Sequence, residues 1–136
     1  MISNTQLLIL TANYLERING RKRFQKTIFL LQEQFDIEFR YRFIPYLYGP
    51  YSSQLQNDID MLARTGYLKA RKADYLFFYE VTPLCRMTAT EIRKEYGEER
   101  AEKLRIHACD LKDFDTEELV KWSKQLMSQN VKDIFA

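Results

Sequence analysis

The stretch Tyr46-Leu47-Tyr48-Gly49-Pro50-Tyr51-Ser52-Ser53 constrains the fold of this chain more than any other. Pro50 fixes its own φ and steers Gly49 away from helix, while Gly49 supplies backbone freedom. Ser52 or Ser53 is suited to accept a hydrogen bond from the first free amides of a following helix. A hinge and a helix start are thus written together. Leu55, Ile59 and Leu62 then recur at helical spacing until Gly66, which predicts a helix over about Ser52 to Thr65. Tyr67-Leu68-Lys69-Ala70-Arg71 and Tyr75-Leu76-Phe77-Phe78-Tyr79 read as two strands joined through Lys72-Ala73-Asp74.

Two helices precede this unit. The first is expected from about Asn4 to Asn19, capped by Ser3 or Asn4 and stopped by Gly20. The second runs from about Arg23 to Gln34, with Phe24, Ile28, Leu31 and Phe35 as its inward stripe. Between Asp36 and Leu47 the period changes, and Phe39, Tyr41 and Phe43 alternate with Arg40 and Arg42 as in a half-exposed strand. The whole predicts an α+β winged helix-turn-helix over residues 1–83, with an inserted strand between helices 2 and 3.

Beyond Val81, Thr82 is placed to cap a helix and Pro83 to occupy its first position. Charged helix-forming sequence follows from about Glu98 to Lys112. A last helix, from Asp115 or Thr116 to Gln129, sets Leu119, Trp122 and Leu126 on one face. Residues 84–136 are therefore expected to form a helical extension, packed back on the first helix or used for homodimerisation.

A chain of 136 residues, 46% of them hydrophobic, is enough for a proper core. Its longest apolar runs are too short to cross a bilayer, so no membrane association is expected. Cys85 and Cys109 are too few for a disulfide framework, which fits a reduced cytoplasm. No catalytic constellation is visible. His107 is the only histidine, and no serine sits in a nucleophile-elbow context. His107 and Cys109 are two apart, so on a helix they diverge and make a poor start to a zinc site. Asp58 and Asp60 diverge likewise and read as solvated surface. The four glycines form no phosphate-cradling loop. A non-catalytic protein without a cofactor is expected.

Phe24-Gln25-Lys26 opening an apolar helix, the aromatic strand, Tyr48-Gly49-Pro50-Tyr51-Ser52, and Leu62 through Gly66-Tyr67-Leu68 together resemble the pattern of Panacea-type, antitoxin-associated proteins and related winged-helix proteins. The likeness spans residues 5–85 and stops before the tail. It implies a neighbourhood of toxin neutralisation, mobile elements or phage conflict.

Charge distribution narrows the partners. Residues 1–72 carry 11 Lys/Arg against 6 Asp/Glu, whereas residues 73–136 carry 10 against 13. Arg21, Lys22, Arg23 and Lys26 cluster at the start of the second helix, and Arg40 and Arg42, then Lys69, Arg71 and Lys72 on the wing, extend them into a stripe suited to a phosphate backbone. Gln54 and Asn57 on the third helix are suited to base edges. The leading expectation is a regulatory module that binds double-stranded DNA. The alternative is a protein-interaction adaptor or antitoxin-like partner, using Tyr46, Tyr48 and Tyr51 of the hinge and Trp122 of the tail.

Overall fold

A computed structural model describes residues 1–135. Helix α1 (Asn4–Leu15) opens on a reciprocal cap in which Ser3 Oγ accepts from the Gln6 amide and Gln6 Oε1 accepts from the Ser3 amide. It stops at Glu16, four residues before the glycine expected to end it. Glu16 turns at φ 65°, and its carbonyl accepts from Val81 N at 3.0 Å. Docking of the chain against a later strand therefore ends the helix, and the short strand β1 (Arg17–Ile18) follows directly.

Helix α2 (Arg21–Glu33) is buried without interruption from Phe24 to Leu31. An α-helix buried all round must be covered on several sides. Here α3, α5 and α6 surround it.

The inserted strand expected between helices 2 and 3 is corrected by the structure. Ile37, Phe39 and Tyr41 are buried while Glu38, Arg40 and Arg42 are exposed, so the alternation is real. Among the described residues no strand of the sheet pairs with this segment, however, and several of its backbone groups are met by side chains instead. Arg40 N donates to Asn4 Oδ1 at 2.8 Å, Tyr41 N donates to Gln32 Oε1 at 2.9 Å, and Gln32 Nε2 donates to Tyr41 O at 2.9 Å. Ile44 and Tyr51 make a strand-like bridge, and two hydrogen bonds of 3.1 Å between Tyr46 and Gly49 close a small hairpin around the hinge.

Helix α3 (Ser53–Arg64) begins as expected, with Ser52 Oγ accepting from Leu55 N at 3.1 Å. Its inward residues are Leu55, Ile59 and Leu62. Strands β2 (Leu68–Ala73) and β3 (Leu76–Val81) form an antiparallel hairpin in which each strand starts one residue later and ends two residues later than the sequence indicates, with Asp74 at φ 55° in the tight turn between them. With β1 they make a three-stranded antiparallel sheet in the order β1-β3-β2.

Thr82 caps α4 (Pro83–Tyr96), and α5 (Glu98–Leu111) and α6 (Thr116–Phe135) complete the chain. Helices α4 and α5 pack on α1, but α6 covers α2 rather than α1. One hydrophobic core runs from Leu7 to Leu119 and includes Cys85, Ile92, Tyr96 and Leu104, so the C-terminal helices share it with the N-terminal part. Among the described residues no helix is long and apolar enough to cross a membrane. The observed architecture is α+β, with six helices and one small sheet among the described residues.

Candidate nucleic-acid interface

The outward face of α3 follows from its inward one. With Leu55, Ile59 and Leu62 buried, residues 54, 57, 61 and 64 fall on the opposite side at spacings of three and four. Gln54, Asn57 and Arg64 are exposed there, flanking the half-buried Met61. None of the three has a hydrogen-bond or ion-pair partner among the described residues. The acidic neighbours are engaged at the edges of this face. Asp58 accepts from Tyr41 Oη at 2.7 Å, and Asp60 accepts from Gln56 Nε2 at 3.0 Å. Burial, reinforced by the Asp58 carboxylate, pushes the Tyr41 phenol far above its ordinary range, so it stays a donor to Asp58. Asp58 and Asp60 are thus tied to neighbours and are not free solvated surface. Arg42 reaches the N-terminal end of the face, where it lines a shallow cleft with Ile44, Tyr51, Ser53 and Gln54.

The sheet divides the basic residues of the wing. Lys69 lies opposite Glu80, and Arg71 opposite Phe78, on one face; Ala70 lies opposite Tyr79, and Lys72 opposite Phe77, on the other. The expected single row of Lys69, Arg71 and Lys72 is therefore split. Lys72 shares its face with Phe77, over which the Arg21 guanidinium sits at 4.7 Å from the ring centre. Lys69 and Arg71 share theirs with Arg17, which covers the Phe78 ring at 3.7 Å. Arg71 also pairs with Glu80 at 3.1 Å, an exposed contact of little energetic weight.

Two of the four basic residues at the start of α2 leave the surface. Lys26 is only 3% exposed, and its Nζ donates to Pro50 O at 2.8 Å. Burial first, then the nearby charges of Lys22 and Lys124, pushes its ammonium down to about 8. A side chain so enclosed offers no face to a DNA backbone. Arg23 is half-buried and turned inward, donating to the Leu111 and Lys112 carbonyls at 3.2 and 3.4 Å. It satisfies the free carbonyl end of α5 and ties that end to α2. Arg21 remains exposed, and Lys22 rests with its Nζ 4.5 Å from the centre of the Tyr48 ring. Arg40, exposed on the opposite end of the 36–47 segment, reaches Met1 Sδ at 3.6 Å and does not join α3.

The hinge itself is anchored from α2. Gln25, 1% exposed, exchanges two hydrogen bonds of 2.9 Å with the Ser52 backbone, so one side chain holds the residue that caps α3. Gly49 is buried at φ 100°. Tyr46 and Tyr48 are exposed, and Tyr51 is half-buried with its ring 5.6 Å from that of Tyr46. Trp122 is half-buried against Phe35 and Phe114, which makes it part of the seam between α6 and the rest of the chain. His107 stacks on Phe35 at 4.1 Å.

Arg64, Arg17 and Lys124 were not singled out by the sequence as site residues. Spacing from Gln54 and Asn57 is a signal for Arg64. Nothing in the sequence joins Lys124 to Lys26, which is 98 positions away. The chain matches no family model, no curated protein and no solved structure.

Proposed function

We propose that residues 1–83 are a winged helix and that the protein binds double-stranded DNA through the exposed face of α3, with a regulatory rather than a catalytic outcome. The order α1, β1, α2, α3, β2, β3 and the sheet order β1-β3-β2 support the winged-helix assignment. The observation that carries the DNA reading is the outward row of Gln54, Asn57 and Arg64, all without internal partners and bordered by Arg42. Those residue types can satisfy base edges in the major groove, which at about 12 Å accepts one helix. Lys69 and Lys72, exposed and without ion-pair partners among the described residues, would contact phosphates on either side of the wing. The resemblance to Panacea-type proteins is compatible with such a role in a toxin-antitoxin or mobile-element setting.

Titration of wild-type protein against several duplexes at two salt concentrations tests this. Removing Arg42, Lys69 and Lys72 together should weaken binding to all sequences alike and flatten the salt slope by up to about 3, since each phosphate contact contributes about 0.9. Gln54→Ala or Asn57→Ala should instead change the ranking of sequences, by about 1–3 kcal/mol for a good contact. Undetectable binding by the wild type at low salt overturns the DNA reading. That outcome favours a protein adaptor, a second reading supported by the exposure of Ile44, Tyr46, Leu47 and Tyr48, at 49%, 62%, 76% and 58%, on the hinge hairpin.

A further inference from the structure

We propose that the cleft between the start of α2, the hinge hairpin and α3 is a binding site for a small aromatic phosphate, a single ring carrying one phosphoryl group. This site shares Tyr46 and Tyr51 with the Arg42 cleft at the end of the α3 face, but it does not rest on the DNA reading.

The cleft has positive charge and no compensating carboxylate among the described residues that line it. Arg21 and Lys22 stand at its rim, and Lys26 lies at its inner end. An ammonium has three N–H donors. That of Lys26, 97% withdrawn from solvent, uses one of them on Pro50 O and finds no second acceptor among the described residues. A buried charge left with unused donors is costly, and an anion supplies both the missing acceptors and the missing charge. The first turn of α2 adds to this demand, because its cap residue Gly20 has no side chain to accept from the free amides and no acidic residue follows.

The walls favour a ring. Tyr46, Tyr48 and Tyr51 contribute aromatic faces or edges, and Lys22 over Tyr48 keeps one of these rings beside the cation. Gln56 also lines the cleft, its Nε2 donating to Asp60 at 3.0 Å. Size limits the ligand. The cleft encloses about 200 Å³, below the roughly 300–1,000 Å³ of pockets for drug-sized molecules. One ring and its phosphate fit that space better than an extended ligand.

Calorimetric titration of the full chain with phenyl phosphate, inorganic phosphate and phenol, in the absence of DNA, tests the assignment. Phenyl phosphate should bind at least about tenfold more tightly than either fragment, a difference of about 1.4 kcal/mol. Lys22→Ala and Tyr48→Ala, both at the rim, should each weaken it severalfold, and Lys26→Met should weaken it most. The Lys26 side-chain nitrogen should shift in NMR spectra on addition of phenyl phosphate. No heat and no shift at millimolar phenyl phosphate, or unchanged affinity in both rim variants, overturns the site. Equal affinity for inorganic phosphate overturns the aromatic part. Much tighter binding of a tyrosine-phosphorylated peptide overturns the small-molecule assignment in favour of a modified protein.

Discussion

Replacing Gly49 with alanine tests the hinge by two separable effects. At φ 100° the backbone lies where a residue with a Cβ is disfavoured, at a cost of about 1–2 kcal/mol. The new Cβ would also stand 3.3 Å from Lys26 Cε and 3.4 Å from Lys124 Cγ. Lys124 is exposed and can swing aside, but Lys26 is pinned by its bond to Pro50 O, so the contact falls on the buried lysine. Alanine regains about 0.4–1 kcal/mol by restricting the unfolded chain. The expected net loss is about 1–2 kcal/mol, which for a chain of this size lowers the melting temperature by about 4–8 °C. Urea denaturation followed by circular dichroism measures it. Repeating the substitution in a Lys124→Ala background separates the effects, since relief of the side-chain contact should recover only a small part of the loss. An unchanged midpoint refutes the hinge argument, and full recovery in the double variant refutes its backbone basis.

Other consequences are equally open to measurement. Because the Lys26 ammonium falls from its ordinary value near 10.5 to about 8 on folding, the unfolded chain holds more protons above pH 8 and stability from this group rises with pH. The stability difference between wild type and Lys26→Met should therefore move in favour of the wild type by about 1 kcal/mol between pH 8 and 9, as read by urea denaturation at each pH. Arg23→Ala should cost about 1–3 kcal/mol in the same assay, since two carbonyls at the end of α5 lose their donor. Trp122→Ala should destabilise the fold by about 3 kcal/mol without changing its sedimentation, because Phe35 and Phe114 hold the ring within one chain. Cys85 is fully buried and its thiol is pushed up to about 11 by burial, so a thiol reagent should modify the half-buried Cys109 first and reach Cys85 only on unfolding.

Where residues announce both an end and a face, the fold is readable from the chain. Ser52, Gly66 and the Leu55-Ile59-Leu62 row fix α3 almost to the residue, and Thr82-Pro83 does the same for the start of α4. Alternation at Phe39, Arg40 and Tyr41 reports correctly which side chains are buried, but alternation records burial and not pairing, so a strand was expected where side-chain amides hold an extended segment. Strand β1 has only two residues and no punctuation ahead of it, since its helix-ending turn falls on Glu16, a residue type that carries no such signal. The basic cluster at the start of α2 misled in a different way. Local composition cannot show which of four cations faces inward, although the unbroken apolar run from Thr27 to Leu31 signals a helix enclosed on several sides. Enclosure by α6 then carries Lys26 inside and draws in Lys124 from the far end of the chain.

The side chains that hold the segment between α2 and α3 have a further meaning for how this shape is inherited. Gln25, Lys26 and Gln32 all sit on α2, yet their partners are the backbones of Ser52, Pro50 and Tyr41. The path of the connection is thus encoded in part on α2, alongside Asn4 of α1 and the connection's own buried Ile37, Phe39 and Tyr41. Its exposed positions are free to drift while the path persists, whereas a change at one of three helix positions would redraw it and re-aim α3 without touching a residue of either. Descendants of this chain would diversify the surface of the hairpin through its own codons and the angle of α3 through those of α2, two traits that selection can tune separately.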